Sequence, residues 1–216
     1  MPSIFSRRLR PFLSAIILST ALNCIAITSA ARANDLSDLP SGPYELDKTH
    51  ASIVWKIDHM GMSTYVGRFT DFDITLNLDA TNYKNSTAQA TIKTSSISTE
   101  YPYPEKTDFN QELATGKSWF NANQFPEITF KSNSLTVIDA KQAMLEGELT
   151  LLGVSKPVTL NLTLNDALTS HPFKDKPAIG FSATTTIKRK DWGLVKFLPA
   201  IGNEVQIEIE AEFIGK

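Results

Sequence analysis

The 216-residue chain carries 21 Lys/Arg against 23 Asp/Glu, a formal net charge of −2, with three histidines and a single cysteine. Residues 1–33 read as a leader; without Arg7, Arg8, Arg10 and Arg32 the balance becomes 17 against 23, and a net charge of about −6 disfavours nucleic acid and anionic membrane surfaces as partners. Cys24 falls inside that leader, so the rest of the chain has neither a disulfide framework nor a thiolate metal site, and its length suits one domain with a substantial core.

The leader is recognised by three arginines ahead of the apolar run 12–27 and by Ala31 and Ala33 at the positions a signal peptidase reads, which puts cleavage after Ala33. The run is shorter than the roughly 20 residues of a membrane-spanning helix. Lipidation at Cys24 would require Leu three positions earlier and a small residue just before it, where Ala21 and Asn23 stand. Residues 34–43 read as a flexible polar lead, and 44–216 as the folded domain.

A first strand follows, in which Ile53, Trp55 and Ile57 share a face, with an interruption at Lys48-Thr49. After the turn His59-Met60-Gly61-Met62, the second runs over 65–79, where Phe72, Ile74, Leu76 and Leu78 alternate with polar residues. Gly67 suggests a bulge, because Phe69 is out of register with Phe72. Ala88, Ala90 and Ile92 begin a third strand towards Ile97. The period then changes over 107–123 to one or two helical turns, capped by Thr107 or Asp108.

Alternation resumes at Ile128 and Phe130, turns at Asp139-Ala140-Lys141-Gln142, and returns through Leu145 to Leu151. Val158, Leu160, Leu162 and Leu164 mark the next strand, and Phe181 lies in the following one. The last strand is the most regular: Val205, Ile207, Ile209, Ala211 and Phe213 alternate with Gln206, Glu208, Glu210 and Glu212. Between the last two strands, 191–202 is far more apolar than a solvated connection.

About eight strands in succession form an antiparallel meander, and closing it removes both exposed edges. The fold class is therefore all-β: an eight-stranded antiparallel barrel with a short helical insertion between strands 3 and 4. Alternation alone does not say which face is inside, since an outer-membrane barrel alternates too. The helical interruption, the strand lengths and the lack of paired aromatic girdles favour an apolar interior over stable membrane insertion. The inner row would look the same in a packed core as around a ligand.

Leu46-Asp47 with His50, then His59-Met60-Gly61, Gly67-Arg68-Phe69, the run from Gly147 to Val158, and Ile187-Lys188-Arg189-Lys190-Asp191-Trp192-Gly193 follow one another along the chain, and their order and spacing say more than any one of them. Together they resemble the YceI-like family over most of 44–213. The resemblance implies a periplasmic or secreted, lipocalin-like barrel whose pore holds a polyisoprenoid or similar amphiphilic lipid, with no cofactor and no established catalytic residue. The chain departs from many relatives at Phe109-Asn110-Gln111-Glu112-Leu113, where those carry an Arg and a His.

On that reading Trp55, Ile57, Phe72, Ile74, Phe130, Leu160, Phe181, Ile207 and Ile209 line the pore. Trp192, Phe197, Leu198 and Ile201 form its mouth or lid, and His50, Arg68 and Arg189 are candidate headgroup contacts. The function expected is sequestration, transport or storage of the lipid, with a homodimer allowed. The alternatives are an enzyme acting on a bound isoprenoid and an outer-membrane barrel. Other chemistry has little support. His59, Met60 and Met62 could offer soft ligands to copper(I), but two thioethers and one imidazole in a turn are a weak signal, so no metal is assigned. There is no Gly-x-Ser-x-Gly turn, and Glu208, Glu210 and Glu212 read as a solvated face.

Overall fold

Period-two segments become neighbours in one antiparallel sheet that closes on itself in the computed structural model, which describes residues 31–32 and 35–216. The predicted leader therefore lies, apart from Ala31–Arg32, outside the described residues. The strands are β1 (Ala31–Arg32), β2 (Gly42–His59), β3 (Ser63–Phe69), β4 (Phe72–Leu78), β5 (Thr87–Lys93), β6 (Ile97–Ser98), β7 (Glu127–Val137), β8 (Gln142–Leu151), β9 (Val154–Ser170), β10 (Ala178–Lys188) and β11 (Ile201–Gly215). One helix, α1 (Phe109–Thr115), stands between β6 and β7. Among the described residues no helix is long and apolar enough to cross a membrane.

Closure comes from β11 pairing with β2, with Ile209 opposite Ile53 and Val205 opposite Ile57. The barrel has eight staves because two of them are broken strands. β3 pairs with the second half of β2 and β4 with its first residues, so together they make one stave interrupted at Thr70-Asp71. β5 and β6 make another, interrupted by the 3-10 turn Thr94–Ser96. The two breaks brace each other: the Thr70 N–H donates to the Ser96 carbonyl at 3.0 Å, and the Lys93 N–H to the Asp71 carbonyl at 2.9 Å.

Two local expectations change. The predicted bulge at Gly67 is not there, since β2 and β3 pair without a register shift and Gly67 faces Trp55. A Cβ at Gly67 would lie 2.1 Å from Trp55 Cζ2, so glycine is needed to seat the indole on the backbone. The parity change between Phe69 and Phe72 occurs instead at Thr70-Asp71, and both rings are buried. The interruption predicted at Lys48-Thr49 is a bulge within the continuous β2: Ala211 pairs with Ala51, but Phe213 with Leu46.

The apolar row of β11 faces inward and its carboxylates face out. Glu208 meets Lys56 at 2.6 Å, and Glu210 accepts from Ser182 Oγ at 2.6 Å. An outer-membrane barrel would carry its apolar band on that outer surface. Asp108 caps α1 by accepting the Gln111 N–H at 2.9 Å, while Leu113 and Ala114 are buried against the barrel end. Asp139 Oδ1 accepts the N–H groups of Lys141 and Gln142, both at 2.8 Å, and so closes the predicted β7–β8 hairpin.

Residues 35–41, read from sequence as part of a flexible lead, are packed. Leu39 is buried, Tyr83 Oη donates to Asp35 at 2.7 Å, and the Ala80 N–H donates to Ser41 Oγ at 2.9 Å. Burial and the Asp35 carboxylate push the Tyr83 phenol up to about 12.

Candidate functional site

Inward-facing side chains leave the barrel hollow in two places. At the end covered by α1 and the loop from β10 to β11 is a cavity of about 410 Å³. Towards the opposite end, below the 79–86 loop and the β7–β8 hairpin, is a second of about 630 Å³. Phe130 and Leu160 line both and form the waist between them. Gly147 makes the waist possible, because a Cβ there would lie 2.3 Å from Phe130 Cζ.

The width of the lower chamber has a simple source. Ala88, Ala90, Ala143, Ala183 and Ala211, from four strands, all line it. Leucine or isoleucine at those inward positions would extend into this space, as the larger residues of small barrels do. The upper chamber is instead walled by rings, including Trp55, Tyr65, Phe109, Trp119 and Phe120. Besides the ring polar atoms, among them the buried Nε1–H groups of Trp55 and Trp119, which have no partner, its polar lining is His59, Glu112, Thr185 and Arg189.

Most residues expected in the pore reach one chamber or both. Trp55, Ile57 and Ile207 line the upper, and Ile74, Phe181 and Ile209 the lower. Phe72 lines neither: it is buried opposite Ile92, beside the stave break. At the mouth, Phe197 and Ile201 line the upper chamber together with Leu194 of the same apolar loop. Trp192 is buried outside the lining, where its Nε1–H donates to the Leu149 carbonyl at 3.2 Å, and Leu198 is half-buried without lining either chamber. Phe109, Leu113, Trp119 and Phe120 were visible in the sequence as an apolar helical segment, but their position over the lumen was not.

The three expected headgroup contacts do other things. Arg68 pairs with Glu100 at 2.7 Å, outside both linings. Arg189 borders the upper chamber, yet it is only 4% exposed and its donors go to backbone carbonyls. Nε serves Gly202 at 2.7 Å, Nη1 serves Leu194 at 2.8 Å, and Nη2 serves Lys196 and Ile201, each at 2.9 Å. One guanidinium thus holds both ends of the apolar loop. Burial lowers its pKa, but arginine keeps its charge throughout the working range of a protein.

His50 lies in the β2 bulge with Asp47 and Glu212, whose ligating atoms converge. The Lys174 ammonium already sits on Asp47, which also accepts from Thr49 Oγ1 at 2.7 Å and faces His50 Nδ1 at 3.0 Å. These partners, Lys174 foremost, hold the buried Asp47 carboxyl well below the usual carboxylate range. A depressed pKa contributes stability that is fully present above the unfolded value of about 4 and is lost as pH falls towards the folded one. Asp47→Asn is therefore expected to cost about 2 kcal/mol at pH 7 and to flatten the decline in melting temperature below about pH 4. Thermal melts across that pH range check it; an unchanged acid limb would show that other carboxylates dominate.

The chain matches the family model described as the YceI-like domain over residues 44–213. It is 32% identical over 192 residues to the protein YceI of Salmonella arizonae, covering 88% of this chain and 96% of the relative. Among solved structures it resembles Burkholderia cenocepacia BcnA, with a TM-score of 0.65 at 21% identity over 77% of this chain and 98% of that one. It also resembles a polyisoprenoid binding domain from Saccharophagus degradans implicated in plant cell wall breakdown, with a TM-score of 0.53 at 14% identity, over 80% of this chain and 98% of that domain. Those two likenesses concern the fold. With the family model spanning nearly all of the barrel and a curated relative matched almost end to end, the chain belongs to the YceI-like family.

Proposed function

We propose that this protein binds a polyisoprenoid or similar long-chain lipid inside the barrel and transports or stores it in the compartment to which the leader exports it, the periplasm or the exterior. The observation that carries this reading is the lumen: alanines line it where bulky residues would fill a core, and the space is apolar on both sides of the Phe130–Leu160 waist. The Saccharophagus domain, named for polyisoprenoid binding, supports the ligand class.

Binding by burial needs no chemistry. Each methylene taken out of water contributes about 0.8 kcal/mol, so a chain occupying both chambers binds tightly with few polar contacts. Trp55, Ile57, Phe130, Leu160, Ile207, Ile74, Phe181 and Ile209 would grip the chain, with Phe197 and Ile201 at the upper mouth. His59, Thr185 and the Glu112–Lys196 pair are the polar groups near its head, in place of His50, Arg68 and Arg189.

Protein exported by a bacterial host and purified without detergent should release a chain lipid on chloroform–methanol extraction, seen by mass spectrometry in near-equimolar amount. An empty extract, together with failure to take up added undecaprenol, would overturn the reading. Conversion of the added undecaprenol to a new product would favour a lipid-modifying enzyme instead.

A further inference from the structure

The two ends of the barrel differ in a way that the lumen does not require. At the upper end, Met60, Met62, Val66, Val195 and Phe197 are all exposed, Met62 to 75% and Phe197 to 59%. They come from the β2–β3 hairpin and the loop after β10, which are tied together where the Met60 N–H donates to the Ala200 carbonyl at 2.7 Å. The patch is also continuous with the interior, because Phe197 lines the upper chamber while half its surface meets solvent.

The backbone sharpens the point. Met60 and Phe197 hold left-handed conformations, with φ of 57° and 63°, a region that favours glycine or asparagine. Met60 turns half its surface to water, and Phe197 divides its ring between solvent and the chamber, where it meets Trp119 at 5.9 Å between centroids. Nearby stand Lys188, which faces Glu204 across the β10–β11 pair, Lys190, and Lys196, which lies over the Trp119 and Phe197 rings and 3.7 Å from Glu112. The opposite mouth exposes Val137, Ile138 and Phe173 too, but three carboxylates, Asp35, Asp139 and Asp166, line it against the single Lys141.

We infer that the upper end is a bilayer-docking face, through which the bound chain passes between the lumen and a membrane. This rests on the lipid-binding reading above. A chain leaving a barrel through water would expose every methylene it withdraws, whereas an apolar rim seated among acyl chains keeps it covered. The contact is apolar first, with Lys188 and Lys190 at its edge to meet lipid phosphates. The net negative charge of the domain keeps it reversible, and the carboxylates of the far mouth set the orientation by turning that end away from anionic lipid.

The test uses the double variant Met62→Asp, Val195→Asp, since neither residue lines a chamber. Protein loaded with NBD-labelled geranylgeraniol is mixed with vesicles of phosphatidylethanolamine and phosphatidylglycerol, 3:1. The variant should retain probe in solution like the wild type, yet co-sediment with vesicles and transfer probe to them about tenfold less. Ile138→Asp, an exposed apolar residue at the other end, should change neither. Matching melting temperatures establish that the variants are folded, and Met62→Ser, Val195→Ser serves if the aspartates fail to fold.

Equal co-sedimentation and transfer by a folded, loaded double variant would overturn the inference. So would wild-type dimers that the variant converts to monomers with no vesicle binding by either, because the patch would then join two copies of the chain. If the wild type takes up no probe, the binding reading falls, while co-sedimentation of the empty protein still decides docking.

Discussion

Arg189→Ala will lower the free energy of unfolding by about 4 kcal/mol and loosen the upper mouth. The side chain is buried and donates to four carbonyls, those of Leu194, Lys196, Ile201 and Gly202, on either side of the apolar loop. A hydrogen bond to a charged group contributes about 1.5–3 kcal/mol, and a carbonyl left buried without a partner costs about 1–3 kcal/mol. Water reaching the more open carbonyls after truncation keeps the total below the sum. Arg189→Lys should recover only part of the loss, because an ammonium is a single point of donation and cannot reproduce the guanidinium fork. Urea unfolding measures both variants. A loss under about 1 kcal/mol for alanine would mean that the loop holds itself and that Arg189 is ancillary. The same variant should leak bound lipid faster, since Phe197 and Ile201 would no longer be held over the chamber.

The second large effect concerns the waist. Leu160→Trp places an indole where the two chambers meet, in space that is open rather than packed, so the fold should tolerate it better than a core insertion. A long chain that threads both chambers would lose the contacts beyond the block. If about four methylenes are displaced, the loss is roughly 3 kcal/mol, or on the order of 100-fold in affinity. A ligand short enough for one chamber should change only a few-fold. Competition assays with undecaprenol and farnesol separate the cases, and equal effects on both would show that the chambers do not act as one site.

Several features were readable from local pattern. The strict alternation of Val205 to Phe213 assigned an inner and an outer face to β11, since side chains on a strand have a period of two whatever surrounds them. The Asp108 cap and the Asp139 turn were readable for the same reason: each satisfies N–H groups two or three residues away. The helical insertion after the third stave followed from a change of period. Arg189 was a different matter. Nothing local marks an arginine whose partners are carbonyls of a loop that exists only once the arginine has folded it. Likewise, His50 looked available for a ligand because Lys174, which sits on its neighbour Asp47, is distant in sequence. The stave break at Thr70-Asp71 was misplaced to Gly67 because a glycine can signal a bulge or the close approach of a ring, and only the position of Trp55 distinguishes them.

Composition and alternation by themselves determined an all-β chain closed as an eight-stranded barrel with its apolar rows on one face, because strand period and edge pairing are properties of the backbone. Only the tertiary structure decided that the interior is hollow, that Phe130 and Leu160 divide it, and that rings wall one chamber while alanines and a rim of three aspartates line the other. A cavity is the difference between the space the staves enclose and the volume of the side chains they send inward, and no single stretch of sequence contains both quantities.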